Sequence, residues 1–152
     1  MTLTLLGNRK RKAGFDVEMK FAFNLSGRIV KGFIDRVERI PEGDYVVINF
    51  KTGYQSETKN SITENIQMNV YCLALLEKFG ALPHRASLFY VKREKMVDYF
   101  PDSEQLEKQK MRLKSMIDSV LLEQFSGSPA YQTCRFCDYE ALCEEKEIKG
   151  GK

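Results

Sequence analysis

The sequence predicts an α/β fold, a mixed central β-sheet flanked by helices, and three observations carry that expectation. Apolar residues alternate with polar ones from Phe15 to Leu25, and two more strand-like runs follow on either side of Pro41-Glu42-Gly43-Asp44. Helical spacing then takes over in the stretch from Ser61 to Leu76. Strand character returns at Ala86–Lys92 and Met96–Phe100, ahead of another helical run.

In order along the chain, Phe15, Val17, Met19, Phe21, Phe23 and Leu25 are expected to face one way along a first strand. Asn24 to Gly27 reads as a turn. Arg28–Arg39 and Tyr45–Lys51 are the next two strands, and residues 54–60 are a polar loop. A single helix is expected over residues 61–79, stopping at Gly80, a helix C-terminal signal. Ile62, Ile66, Val70 and Leu73, with Met68, Cys72 and Leu76, suit its burial. Ala86–Lys92 is a buried strand with SLFYV at its centre, and Met96–Phe100 is a short one. Pro101-Asp102-Ser103 opens a helix to about Gln124, with Ser103, Gln105 and Leu106 resembling a cap. Residues 138–147 make a last short helix. With no internal repeat or low-complexity linker, residues 1–152 read as one domain, in which 134–147 form a cysteine-containing segment.

Bulk properties exclude several classes. At 152 residues, 43% hydrophobic and 30% charged, the chain can bury a real core and is not expected to be disordered. No apolar run approaches the ~18 residues of a membrane span. The start, MTLTLLGNRKRK, is a poor signal peptide, and cysteines in metal-like spacing without a secretory signal suggest a reducing, cytoplasmic location. A net charge of +3 is too small to imply nucleic-acid binding by itself. The run Arg9-Lys10-Arg11-Lys12 can touch phosphates, although charge runs are more often solvated turns.

Residues 31–53, KGFIDRVERIPEGDYVVINFKTG, carry the chemistry. The first strand of this hairpin presents Asp35, and on the second Asn49 and Lys51 share a face. An acid facing a polar residue and a lysine on the next strand suits a divalent metal held beside a phosphate. Taken alone, Lys51-Thr52-Gly53 is an ordinary strand-to-turn exit, and Asp35-Arg36 an exposed pair on an edge strand.

The whole string resembles the core of RecB-like nuclease domains of the PD-(D/E)XK superfamily, which carry G-x-x-D-R-V, a hairpin, and a strand ending D-Y-K-T-G. Gly32, Asp35, Arg36 and Val37 match the first part, and Lys51, Thr52 and Gly53 the second. The resemblance implies a restriction-endonuclease-like core that hydrolyses DNA phosphodiesters with Mg²⁺ or Mn²⁺. It implies Asp35 as metal ligand, Lys51 as catalytic lysine and the backbone carbonyl of Phe50 as a further ligand. The family's second carboxylate falls on Asn49, which offers only a neutral amide oxygen. Cleavage by this chain is therefore expected to be weak or absent, with a DNA-binding or scaffolding module as the alternative.

Gln67 and Tyr71 stand four apart on a helix and match the Q-x-x-x-Y helix of RecB-like nucleases, which implies contact with the DNA backbone or the attacking water. By themselves they read as a surface glutamine and a core tyrosine. Near the end, Cys134, Cys137 and Cys143 form C-x2-C-x5-C, a spacing that suits thiolate ligation of a metal. Some RecB-like nucleases, including AddB and a CRISPR-associated exonuclease family, hold a [4Fe-4S] cluster with three such cysteines and one far upstream. Cys72, inside the apolar helix, reads as a small core residue, so the upstream ligand has no counterpart. Zinc is the competing metal, and a small metal-stabilised interaction domain a further reading. The family's N-terminal helix with its metal-ligating histidine has no counterpart either, because the single histidine, His84, falls in a surface loop. The chain thus reads as the C-terminal portion of a nuclease domain, excised or naturally degenerate. The implied setting is DNA repair, recombination or CRISPR, with DNA and a helicase domain or subunit as partners and no membrane.

Overall fold

A computed structural model describes residues 14–54, 58–124, 134 and 136–143. The Arg9–Lys12 run, residues 55–57 of the polar loop and the end of the last expected helix lie outside them. The chain divides into two compact units, residues 1–114 and 115–152.

The first unit is built on a five-stranded sheet in sequential order. Strands β1 (Gly14–Leu25), β2 (Arg28–Arg39) and β3 (Tyr45–Lys51) form an antiparallel meander. Ser26 and Gly27 close the first hairpin, both with positive φ, as a two-residue loop of the primed type requires. Pro41 leads the second turn, which Gly43 closes by donating its N–H to the Ile40 carbonyl at 2.9 Å. The chain then crosses over through α1 (Lys59–Thr63) and α2 (Ile66–Phe79) and returns as β4 (Arg85–Tyr90), parallel to β3. A short 3₁₀ turn leads into β5 (Lys95–Tyr99), antiparallel to β4, and α3 (Ser103–Leu121) follows. The mixed sheet flanked by helices is the architecture the sequence predicts.

Helix α2 lies against β1, β3 and β4. Ile34, Val47, Met68, Leu73, Leu75 and Leu88 are fully buried in this core, and Tyr45 stacks on Phe79 at 4.2 Å between centroids. No described helix is long and apolar enough to cross a membrane.

Four local expectations are corrected. The helix over 61–79 is two helices, because Asn65 caps α2 by accepting from the Met68 N–H at 3.1 Å, while Thr58 and Ser61 form a capping box for α1. The break turns Ile66 outward, 37% exposed. The corner is held by a buried amide: Asn69 donates to the carbonyls of Thr63 and Asn65 and accepts from Tyr99. At α3 the cap is Asp102, whose Oδ1 accepts from the Gln105 N–H at 2.8 Å, rather than Ser103. Strand β4 ends at Tyr90, since Val91–Arg93 coil into the 3₁₀ turn.

The fourth correction concerns β1. Met19, Phe21, Phe23 and Leu25 are buried, whereas Phe15 and Val17 are each 62% exposed. All of residues 14–18 are exposed, so burial along β1 begins only at Met19, just past Glu18, whose φ of +49° lies in the left-handed region. The β1–β2 register skips the same step: Val17 pairs with Arg36 and Met19 with Ile34, leaving Glu18 across from Asp35.

Candidate active site

The ladder between β2 and β3 runs from Arg39↔Tyr45 to Arg36↔Ile48. One residue further on, the Asp35 side chain replaces the backbone partner, its Oδ2 accepting from the Phe50 N–H at 2.9 Å. A carboxylate wedged at this point splits the strands into a fork and fixes the acid by a charge-assisted bond. Continued by one step, the register sets Asn49 opposite Asp35, and Lys51 follows on the same side of β3.

From β3, Lys51 reaches α2, where its Nζ donates to Gln67 Oε1 at 2.6 Å. Gln67 in turn donates through Nε2 to the Tyr71 hydroxyl at 2.9 Å. The phenol pKa of Tyr71 is raised, first by burial and then by the negative charge of Asp35, with the Gln67 bond acting the other way. Tyr71 therefore stays a hydroxyl donor at neutral pH. The fork thus gathers one carboxylate, one ammonium held by an amide, and one phenol.

Gly32 supports this arrangement from below. A Cβ there would lie 2.8 Å from the Phe21 ring, whose edge packs on Tyr71 at 6.0 Å between centroids. The glycine of the motif is thus required by close approach of an aromatic ring. Phe21, a strut for Tyr71, was visible in the sequence only as one of several alternating apolar residues. Arg36, next to Asp35, is not part of the fork: it pairs with Glu38 at 2.7 Å and lies over the Phe15 ring.

Asn49 is 2% exposed, and its Nδ2 has no hydrogen-bond partner among the described residues. A buried amide donor in that state costs about 1–3 kcal/mol unless a ligand or water satisfies it.

The family model for the PD-(D/E)XK nuclease superfamily matches residues 2–144. The chain belongs to the PD-(D/E)XK nuclease superfamily. Among solved structures, the superfamily chain is similar to that titled "Crystal structure of SSO0001", with a TM-score of 0.57 and 19% identity. That match covers 87% of this chain and 61% of the other, so this chain spans less than two thirds of its length. At such identity the likeness concerns the fold. Comparison with curated proteins finds no match.

Members of the superfamily hydrolyse phosphodiesters and generally use Mg²⁺ or Mn²⁺. The donors at the fork fit a hard cation: a carboxylate on Asp35, an amide oxygen on Asn49 and backbone carbonyls, all oxygen. The orphaned Asn49 amide is consistent with a site shaped around something bound. Among the described residues no three His, Cys, Asp or Glu side chains group to hold a metal.

Two of the remaining candidates lie elsewhere in the first unit. His84 is an exposed loop residue, its N–H donating to the Tyr45 carbonyl at 2.8 Å and its ring edge-on to Phe100. Cys72 is fully buried, and burial pushes its thiol pKa up to about 12, as for a core residue. In the second unit, the Cys137 N–H donates to the Cys134 carbonyl at 3.1 Å, and a 3₁₀ turn over Glu140–Leu142 precedes exposed Cys143.

Proposed function

We propose that this chain binds DNA at the β2–β3 fork and hydrolyses its phosphodiester slowly with Mg²⁺ or Mn²⁺. The observation that carries the reading is the continuous connection at the fork: Asp35 on the Phe50 N–H, and Lys51 on Gln67 and then Tyr71. Asp35 would hold the cation, with the Phe50 carbonyl and the Asn49 amide oxygen beside it. When bound, the cation supplies Lewis acidity and a hydroxide from coordinated water. Lys51 brings its positive charge to the phosphate oxygens, where negative charge grows as the water attacks. Gln67 fixes the lysine, and the protonated Tyr71 hydroxyl is available to a phosphate oxygen or the attacking water.

Asn49 favours a second reading, a DNA-binding or scaffolding module that has lost cleavage. One assay separates the two: Mn²⁺-dependent cleavage of labelled single- and double-stranded DNA. Slow cleavage abolished by Asp35→Ala and by Lys51→Ala supports the enzyme. DNA binding without cleavage supports the module, and cleavage that survives both changes overturns the assignment of the fork.

The wider reading is a module of a helicase–nuclease, repair, recombination or CRISPR-type system, supported by the resemblance to RecB-like domains. A [4Fe-4S] cluster on Cys134, Cys137 and Cys143, with zinc as the alternative, is supported by their spacing alone. Metal analysis and the visible spectrum of anaerobically purified protein test it.

A further inference from the structure

We infer that Glu18 supplies the second carboxylate of the fork, taking over the negative charge that Asn49 withholds. This rests on the reading of the fork as a divalent-cation site.

The β1–β2 pairing runs from Gly14↔Arg39 to Leu25↔Arg28 and skips one step, where Glu18 stands across from Asp35. Residues opposite one another on neighbouring antiparallel strands share a face of the sheet, the arrangement that a cation bridging two carboxylates needs. Glu18 also occupies the left-handed region, with φ of +49°. Glycine or asparagine takes this conformation more readily. A glutamate carries the strain here although its carboxylate has no ion pair among the described residues.

An independent observation points to a ligand in the same place. Asn49, opposite Asp35 on the other side of β2, buries an amide whose Nδ2 donor is unused. Such a donor calls for an acceptor in the fork, such as a water or phosphate oxygen held by a cation. With Asp35 alone the fork offers a cation one negative charge. Glu18 raises this to two carboxylates, the usual protein complement of a Mg²⁺ site that keeps waters and phosphate as its other ligands. The three positions lie on three successive strands, so the acid missing from β3 is replaced from β1.

Isothermal titration of Mn²⁺ into the whole chain at neutral pH tests this, together with thermal melting without metal. Glu18→Gln is expected to weaken Mn²⁺ binding by about tenfold or more while leaving the metal-free melting temperature unchanged. Glu18→Gly should raise that melting temperature by relieving the backbone, yet weaken Mn²⁺ to a similar extent. Adding Asn49→Asp to Glu18→Gln should restore affinity. If Asp35→Asn weakens Mn²⁺ and Glu18→Gln does not, the inference is overturned and the fork remains a cation site. If neither change matters, or the unmodified chain binds no Mn²⁺, the cation-site reading falls and this inference with it.

Discussion

Lys51 on β3 donates to Gln67 on α2 at 2.6 Å, which ties the ammonium at the fork to the helix that carries Tyr71. The lysine is therefore aimed by the helix as well as by its own strand. Lys51→Ala should lower any Mn²⁺-dependent cleavage by roughly 10²–10³-fold, the size of loss typical when one charge-stabilising donor is removed. Gln67→Ala leaves the ammonium in place but unaimed, and a smaller fall in rate is expected. Single-turnover cleavage, which isolates the chemical step, is the measurement. Equal rates for Gln67→Ala and the unmodified chain would contradict the aiming role.

Asn49→Asp tests the charge deficit directly. The new carboxylate would be buried opposite Asp35, so burial and the like charge both push its pKa up. In metal-free protein the folded pKa then lies above the unfolded one. The variant should match the parent at low pH and lose stability as pH rises past the ordinary Asp range near ~4. Mn²⁺ should reverse that loss and speed cleavage. Denaturation midpoints with and without Mn²⁺ decide it, and a metal-free variant as stable as the parent at pH 7 would refute the argument.

The alkaline limit of the fold follows from three buried acids. Burial raises the pKa of Cys72 to about 12 and also raises those of Tyr71 and Tyr99. All three favour the protonated form in the folded state. Their effect on stability is absent below the unfolded values, 9.0 for Cys and 10.0 for Tyr. Above pH 9 the unfolded chain releases protons that the folded chain keeps, so stability falls. Urea midpoints should be independent of these groups from pH 7 to 8.5 and decline above pH 9, with a shallower onset in Cys72→Ala. An unchanged onset in that variant would place the cause elsewhere.

Gly32→Ala inserts a methyl 2.8 Å from the Phe21 ring, which is held between β2 and Tyr71. A loss of about 1–3 kcal/mol is expected from overpacking, read as a lower denaturation midpoint. Phe21→Leu in the same chain should recover part of it. Full stability of the single variant would mean that the ring moves freely.

The meander was legible because its punctuation is strong. Pro41 through Asp44 falls between β2 and β3 as expected, and the turn expected over Asn24 to Gly27 holds the Ser26-Gly27 loop between β1 and β2, although Asn24 and Leu25 themselves belong to β1. The four-residue spacing of Gln67 and Tyr71 likewise gave their shared face. What stayed hidden depends on backbone conformation or on distant partners. Nothing in the alternation of Phe15 to Leu25 announces a positive φ at Glu18, because a glutamate is an ordinary strand residue. Asn65 broke the long helix by capping its second half, and a polar residue in a helical run can equally be solvated. The Asp35 bond to the Phe50 N–H requires the strands to separate at that residue, which no local pattern encodes.

The parallel pairing of β3 with β4 sets an order of assembly. The β1–β2–β3 meander closes through short turns, whereas β4 can join only after α1 and α2 have crossed over. The bonds of the fork span 15 residues from Asp35 to Phe50, 16 from Lys51 to Gln67 and 4 from Gln67 to Tyr71. Short separations carry a small loop-closure entropy, so these contacts are open to an early stage of folding. The carboxylate and lysine would then be set by the hairpin before β4 and β5 complete the sheet, and a chain interrupted after α2 would already hold every group of the fork.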